Sequence, residues 1–207
     1  MKKKLSKSVL RNRSVFTALF AALISVSALV QLSAGPFAII PLVLQNMMAL
    51  LSGAILGAAG GAVSVSLFVI SGALGLPVYA GGRGGFAILL GPTGGFLIGY
   101  ILGSFVCGLI LGMPSYTEKR SFKTLIKTIV AGLSGFIIIY IPGLLWYTIS
   151  YVMKRDTIDF SSAVFKGAME AFLPFIPGDL VKLILFVLLT RALRPVSARY
   201  LNPDDAC

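Results

Sequence analysis

Apolar residues run along this chain in long stretches with brief polar punctuation, and the length of each run sets the reading. A helix rises about 1.5 Å per residue and the hydrocarbon core of a bilayer is about 30 Å thick, so apolar runs of about 18 residues or more predict transmembrane helices. Six are predicted: Ser14–Ala34, Ile39–Ala54, Ile55–Leu74, Pro92–Met113, Leu125–Ile149 and Gly167–Thr190. The second and third share the continuous apolar segment Ala49–Gly72, where Gly53, Gly57, Gly60 and Gly61 permit a tight turn. The expected fold is an all-α membrane protein, six transmembrane helices in a compact bundle with a glycine-rich outer loop between helices 3 and 4. A basic N-terminus (1–13), one transmembrane domain (14–194) and a cytoplasmic tail (195–207) follow from it. The basic start followed by Ser14–Val30 resembles a signal peptide. That run has the length of a span, however, and the topology needs it, so it is read as a retained first helix.

Composition supports the same solvent. The chain is 57% apolar and 12% charged and has no His, about half the charge of a soluble domain, and it is too apolar to stay disordered. The net charge of +11 is unevenly placed. Lys2, Lys3, Lys4, Lys7, Arg11 and Arg13 precede the first run, and from Ser14 to Thr117 the only charged side chain is Arg83. Basic residues that flank apolar spans are orientation signals, not a nucleic-acid face. With the N-terminus inside, 13 of the 18 Lys and Arg fall on the cytoplasmic side and 4 outside, Lys182 lying within a span. Both termini are therefore expected in the cytoplasm of a multi-pass protein of the cytoplasmic membrane. Cys107 and Cys207 have no metal-ligand spacing, and no metal or cofactor site is expected.

Glycine is concentrated between Gly53 and Gly112, which hold 17 of the 23. Gly91, Gly95, Gly99 and Gly103 recur every four residues and give helix four a bare face for close packing, within the chain or between two copies. Ala18 and Ala22 repeat that spacing in helix one. Gly81-Gly82-Arg83-Gly84-Gly85 is too glycine-rich for a helix, yet its flanks are apolar, which predicts a segment folded back on the bundle. No Walker A pattern is present, so this sequence offers no ATP site of its own.

Ionisable groups inside spans are costly and mark functional sites by default. The strongest case is Pro174-Phe175-Ile176-Pro177-Gly178-Asp179-Leu180-Val181-Lys182. Two prolines and a glycine interrupt the helix, which places Asp179 in a fresh first turn and Lys182 three residues on, on the same face. The pair is a capped, neutralised helix start or a binding site open to the outside. Gln45 provides an amide for a ligand or for another helix. Trp146, Tyr147 and Tyr151 are expected in an interfacial aromatic belt. With Arg83, these groups suggest a small ligand with an anionic end and a neutral hydrogen-bonding head. No nucleophile–base pair supports an enzyme.

The runs Gly72-Ala73-Leu74-Gly75-Leu76-Pro77-Val78-Tyr79-Ala80-Gly81-Gly82, Gly91-Pro92-Thr93-Gly94-Gly95-Phe96-Leu97-Ile98-Gly99 and Pro174–Lys182 resemble the BioY family, the biotin-specific S components of energy-coupling factor (ECF) transporters. The resemblance covers about Ala18 to Arg191, with Val43 where the family often has Thr. It implies biotin as ligand, and a transmembrane coupling protein and two ABC ATPases as partners in other chains. It places Asp179 and Lys182 in the pocket, Arg83 and Gln45 at further contacts, Gly82 in the binding loop, and Ala18 and Ala22 facing the coupling protein. Biotin has a ureido head and a valerate carboxylate. Asp179 is expected to accept a ureido N–H with help from Gln45, and Arg83 and Lys182 to meet the carboxylate or hold Asp179 charged. Tyr79 and Phe175 are expected to pack on the bicyclic ring. The alternatives are an S component for another small vitamin and a small intramembrane lipid-modifying enzyme.

Overall fold

A computed structural model describes residues 7–29, 31–32, 42–116, 118, 121–153, 161–162, 164–165, 169 and 173–201. Its helices are α1 (Lys7–Leu29), α2 (Gln45–Ala73), α3 (Phe86–Leu90), α4 (Gly94–Leu111), α5 (Phe122–Val152) and α6 (Ile176–Leu201). A two-residue antiparallel ladder, Gln31–Leu32 on Leu42–Val43, joins α1 to α2. α1, α2, α4 and α5 are long and apolar enough to cross a membrane. Apolar side chains face outward along them, among them Val15, Leu19, Ile70, Leu109, Ile137 and Leu145. Hydroxyls such as Ser52, Ser64, Ser104, Thr128 and Thr190 are buried. That is the inverse of a water-soluble fold and suits lipid as solvent.

α2 is two arms. Gly57 takes φ 72° and ψ 179° inside it, a conformation open in practice to glycine alone. The chain folds back there: a Cβ on Gly61 would lie 2.4 Å from the Gly53 Cα. At the other end of the arms, Gln45 Nε2 donates to the Val78 carbonyl at 3.4 Å. Arms 45–56 and 58–73 are thus the second and third predicted helices, with the turn two residues beyond the expected boundary.

Helix four's glycine face packs within the chain. A Cβ on Gly95 would meet the Pro142 carbonyl at 2.3 Å, and one on Gly99 the Ile139 carbonyl at 2.5 Å, so α4 and α5 approach backbone to backbone. Several helix boundaries differ from expectation. α1 begins at Lys7, inside the basic segment, because Lys and Arg are good helix formers at a membrane edge. The first turn of α2 waits for Gln45, six residues later than expected. α6 starts at Ile176, after a 3₁₀ turn at Leu173–Phe175, and runs through Arg191, Arg194 and Pro195 to Leu201, into the expected tail.

The bundle has two chemically distinct ends. At one, Asn12 Nδ2 donates to the Tyr200 carbonyl at 3.1 Å, so the start of α1 meets the end of α6. The Arg194 guanidinium is buried beside it. It donates to Glu118 Oε2 at 2.8 Å and to the carbonyls of Ala54, Leu111, Gly112 and Met113. Counted from sequence among the orientation charges, Arg194 ties α6 to the Gly57 turn and to the end of α4. The other end, about 22 Å along α6 from Arg194, holds Asp179 and a cavity. Lys119, Arg120, Lys154, Arg155, Lys166 and Cys207 lie outside the described residues.

Candidate functional site

The inner end of the cavity is built on the first turn of α6. Pro177 fits there because the first helical N–H groups have no intrahelical acceptor in any case. Asp179 follows, at the positive end of the helix dipole. Its carboxylate is buried and holds three donors from three helices. Lys182 Nζ and Asn46 Nδ2 reach Oδ1 at 2.8 and 3.2 Å, and the Tyr140 hydroxyl donates to Oδ2. Asn46 is itself oriented, because its Oδ1 accepts the Met47 N–H at 2.9 Å. The start of α2, the middle of α5 and the start of α6 therefore converge on one carboxylate.

The cavity encloses about 360 Å³, within the range of small-molecule sites. Aromatic side chains form much of its wall: Phe96 and Tyr100 from α4, Tyr140 and Tyr147 from α5, and Phe175 from the 3₁₀ turn. Tyr140 stands edge-on to Phe96, with ring centroids 5.9 Å apart.

The roof is the glycine-rich segment, folded back as expected. Tyr79 and Arg83 pair across a turn, with the Tyr79 N–H on the Arg83 carbonyl at 2.8 Å and the Gly82 N–H on the Tyr79 carbonyl at 2.9 Å. The Tyr79 ring fills the space beside Gly72 and stands edge-on to Phe68, and its hydroxyl donates to the Val69 carbonyl at 2.6 Å. Burial pushes the Tyr79 phenol up, so it remains a neutral donor. Arg83 is exposed at the mouth, where its Nε donates to the Ala80 carbonyl at 3.1 Å, and it has no ion pair among the described residues.

Gln45, Tyr79, Arg83, Phe175 and Lys182 all line the cavity. Asp179 lies one residue behind the wall, its carboxylate held by Lys182, Asn46 and Tyr140, which line the cavity. Gly82 shapes the turn with φ 70° and is not on the cavity wall. Ala18 and Ala22 lie apart from the site, exposed on α1. Two expected belt residues have other roles. Tyr147 lines the cavity, and Trp146 donates to the Gly91 carbonyl at 3.0 Å. Asn46 and Tyr140 were missed. The signal available for Tyr140 was a lone hydroxyl in Ile137-Ile138-Ile139-Tyr140-Ile141, the same kind of interruption that singled out Gln45.

Comparison with known proteins gives a consistent result. The profile of the BioY family matches residues 1–199. The biotin transporter BioY of Thermotoga maritima is 38% identical over 176 residues, 85% of this chain and 92% of that protein. The biotin transporter BioY of Rhizobium etli is 36% identical over 179 residues, 86% of this chain and 90% of that one. Among solved structures, the S-component for biotin from an ECF-type ABC transporter superposes with a TM-score of 0.70 at 29% identity, covering 92% of this chain and 95% of that one.

Proposed function

The chain belongs to the BioY family, and from that premise we propose that it binds biotin with high affinity and carries it across the cytoplasmic membrane as the substrate-specific subunit of an ECF-type transporter. The observation that carries the reading is how charge is divided along the cavity. At the buried end Asp179 and Lys182 neutralise each other, so a neutral polar head fits there and a carboxylate gains no net cation. At the mouth Arg83 has no carboxylate partner among the described residues, and a ligand carboxylate meets it without a competing anion. Between them lie aromatic walls suited to an apolar ring and chain. Biotin has that order of parts: ureido head, bicyclic ring, aliphatic chain, carboxylate.

The positive-inside count supports an outward cavity, because the Asp179 end of α6 lies opposite the end that gathers Arg11, Arg13, Arg194 and Arg199. This sequence holds no Walker A pattern, so the energy for release has to come from partner chains: a coupling protein and two ATPases. Ala18 and Ala22, on the exposed face of α1, allow a partner helix to approach closely.

The test is uptake of labelled biotin by cells that express the chain with and without the coupling protein and ATPases, challenged by unlabelled vitamins. Uptake blocked by biotin alone and dependent on the partners supports the reading. Uptake blocked by another vitamin instead would move the chain to a different ligand.

A further inference from the structure

The roof of the cavity hangs from the end of α2. The last carbonyls of a helix lack helical donors, and the Gly72 carbonyl takes the Gly85 N–H at 2.7 Å. About one turn earlier, the Val69 carbonyl accepts the Tyr79 hydroxyl at 2.6 Å. Between these anchors the segment closes on itself. Tyr79 and Arg83 exchange backbone hydrogen bonds at 2.8 and 3.3 Å, across Gly81 and Gly82 at φ 76° and 70°, a conformation that glycine adopts without strain. Tyr79 therefore bonds to α2 through its side chain and to Arg83 through its backbone. Its ring is buried edge-on to Phe68, in space that exists because residue 72 has no side chain: a Cβ on Gly72 would lie 2.3 Å from the ring. What this fastening holds in place is the Arg83 head. Its Nε donates to the Ala80 carbonyl of the same turn at 3.1 Å, and its terminal nitrogens make no hydrogen bond among the described residues.

We propose that Tyr79 is a positioning residue for the anionic end of the ligand, its hydroxyl fastening the turn that holds Arg83 at the cavity mouth. A long exposed side chain on a loose loop loses freedom when it meets a carboxylate, and that loss weakens binding. Here the backbone of Arg83 is pinned to Tyr79, Tyr79 is pinned to α2, and the Arg83 Nε is already seated. The cation is therefore set in place before the ligand arrives. Without the hydroxyl, the ring still fits beside Gly72, but the turn is tied to α2 through Gly85 alone of these two anchors. The effect falls on the carboxylate end of the ligand and spares the head group, which lies at the Asp179 end. This inference deepens the biotin reading above and rests on it.

The experiment measures binding of biotin and of biotin methyl ester to the purified full chain in detergent. Wild-type protein is expected to prefer the acid by at least about tenfold, the scale of one charge-assisted contact. Tyr79→Phe keeps the ring beside Phe68 and removes the hydroxyl. It is expected to weaken the acid by about 3- to 10-fold and the ester by less than about twofold. In the Arg83→Ala background, Tyr79→Phe is expected to weaken the acid by less than about twofold further, because residues that act through one another are not additive. A tyrosine that only shapes the cavity would weaken acid and ester alike, and its effect would persist without Arg83. Either of those results overturns the proposal, and so does full acid affinity in Tyr79→Phe or equal wild-type affinity for acid and ester. Failure of wild-type protein to bind biotin at all overturns the biotin reading together with it.

Discussion

Lys182 Nζ lies 2.8 Å from Asp179 Oδ1, three residues away on one face of α6, and both side chains are buried. Breaking such a pair from one side leaves a bare charge, which costs about 3–5 kcal/mol. Asp179→Asn is therefore expected to lower the unfolding midpoint in detergent and to weaken biotin binding by about 100-fold or more, as Lys182 loses its counter-charge and one of the two acceptor oxygens shared by Lys182, Asn46 and Tyr140 becomes a donor. The double variant Asp179→Asn/Lys182→Met is expected to recover much of the stability and none of the binding. Titration with labelled biotin beside thermal unfolding separates the two effects. Full affinity in Asp179→Asn would remove this cluster from the site.

Arg83 stands at the other end of the cavity, and its role is separable by ligand chemistry. A charge-assisted contact to a carboxylate is worth about 1.5–3 kcal/mol. Arg83→Ala is expected to weaken biotin by about 10- to 100-fold and to leave biotin methyl ester nearly unchanged. Equal losses for acid and ester would place the carboxylate elsewhere.

The sequence made much of this legible, for identifiable reasons. Long apolar runs gave the helices, because lipid leaves few other ways to satisfy a backbone. Asp179 and Lys182 stood out because charge in a span is costly. What stayed hidden depends on tertiary contact. Nothing in the Pro41–Asn46 stretch says that Asn46 and not Gln45 reaches Asp179. Tyr147 and Trp146 fit an interfacial belt by position, and only the close α4–α5 packing at Gly95 turns one into the cavity and the other onto Gly91. The expected start of the sixth helix, Gly167, lies outside the described residues; α6 itself starts at Ile176, where Pro174 and Pro177 restrict the chain before them, an effect that an apolar run length does not register.

Gly57 offers a test of the α2 hairpin. Its φ of 72° strains any L side chain, and a Cβ there would press on the Met113 sulfur at 2.7 Å. Gly57→Ala is expected to cost about 1–3 kcal/mol, from backbone strain, seen as a lower unfolding midpoint. The turn is at the far end of the bundle from Asp179, so biotin affinity of the folded protein is expected to stay within about twofold, since distant sites behave independently. A variant of unchanged stability would mean that the two arms are joined by some other backbone path.

Arg194 carries the sharpest contrast between sequence position and structural role. Arg191, Arg194 and Arg199 read alike as charges flanking the last helix. Arg194 alone of them is buried, and its fork spans Glu118 and four carbonyls from two separate turns. Lysine cannot copy it, because a single ammonium on a flexible stem does not span those acceptors. Arg194→Ala is expected to cost about 3–5 kcal/mol by leaving Glu118 and the carbonyls without their donor. Arg194→Lys is expected to recover little of that, and Arg191→Ala to stay within about 0.5 kcal/mol of the parent. Unfolding midpoints of the three variants check this. If Arg194→Lys matched the parent, charge alone would hold that end of the bundle, and the fork geometry would carry no weight.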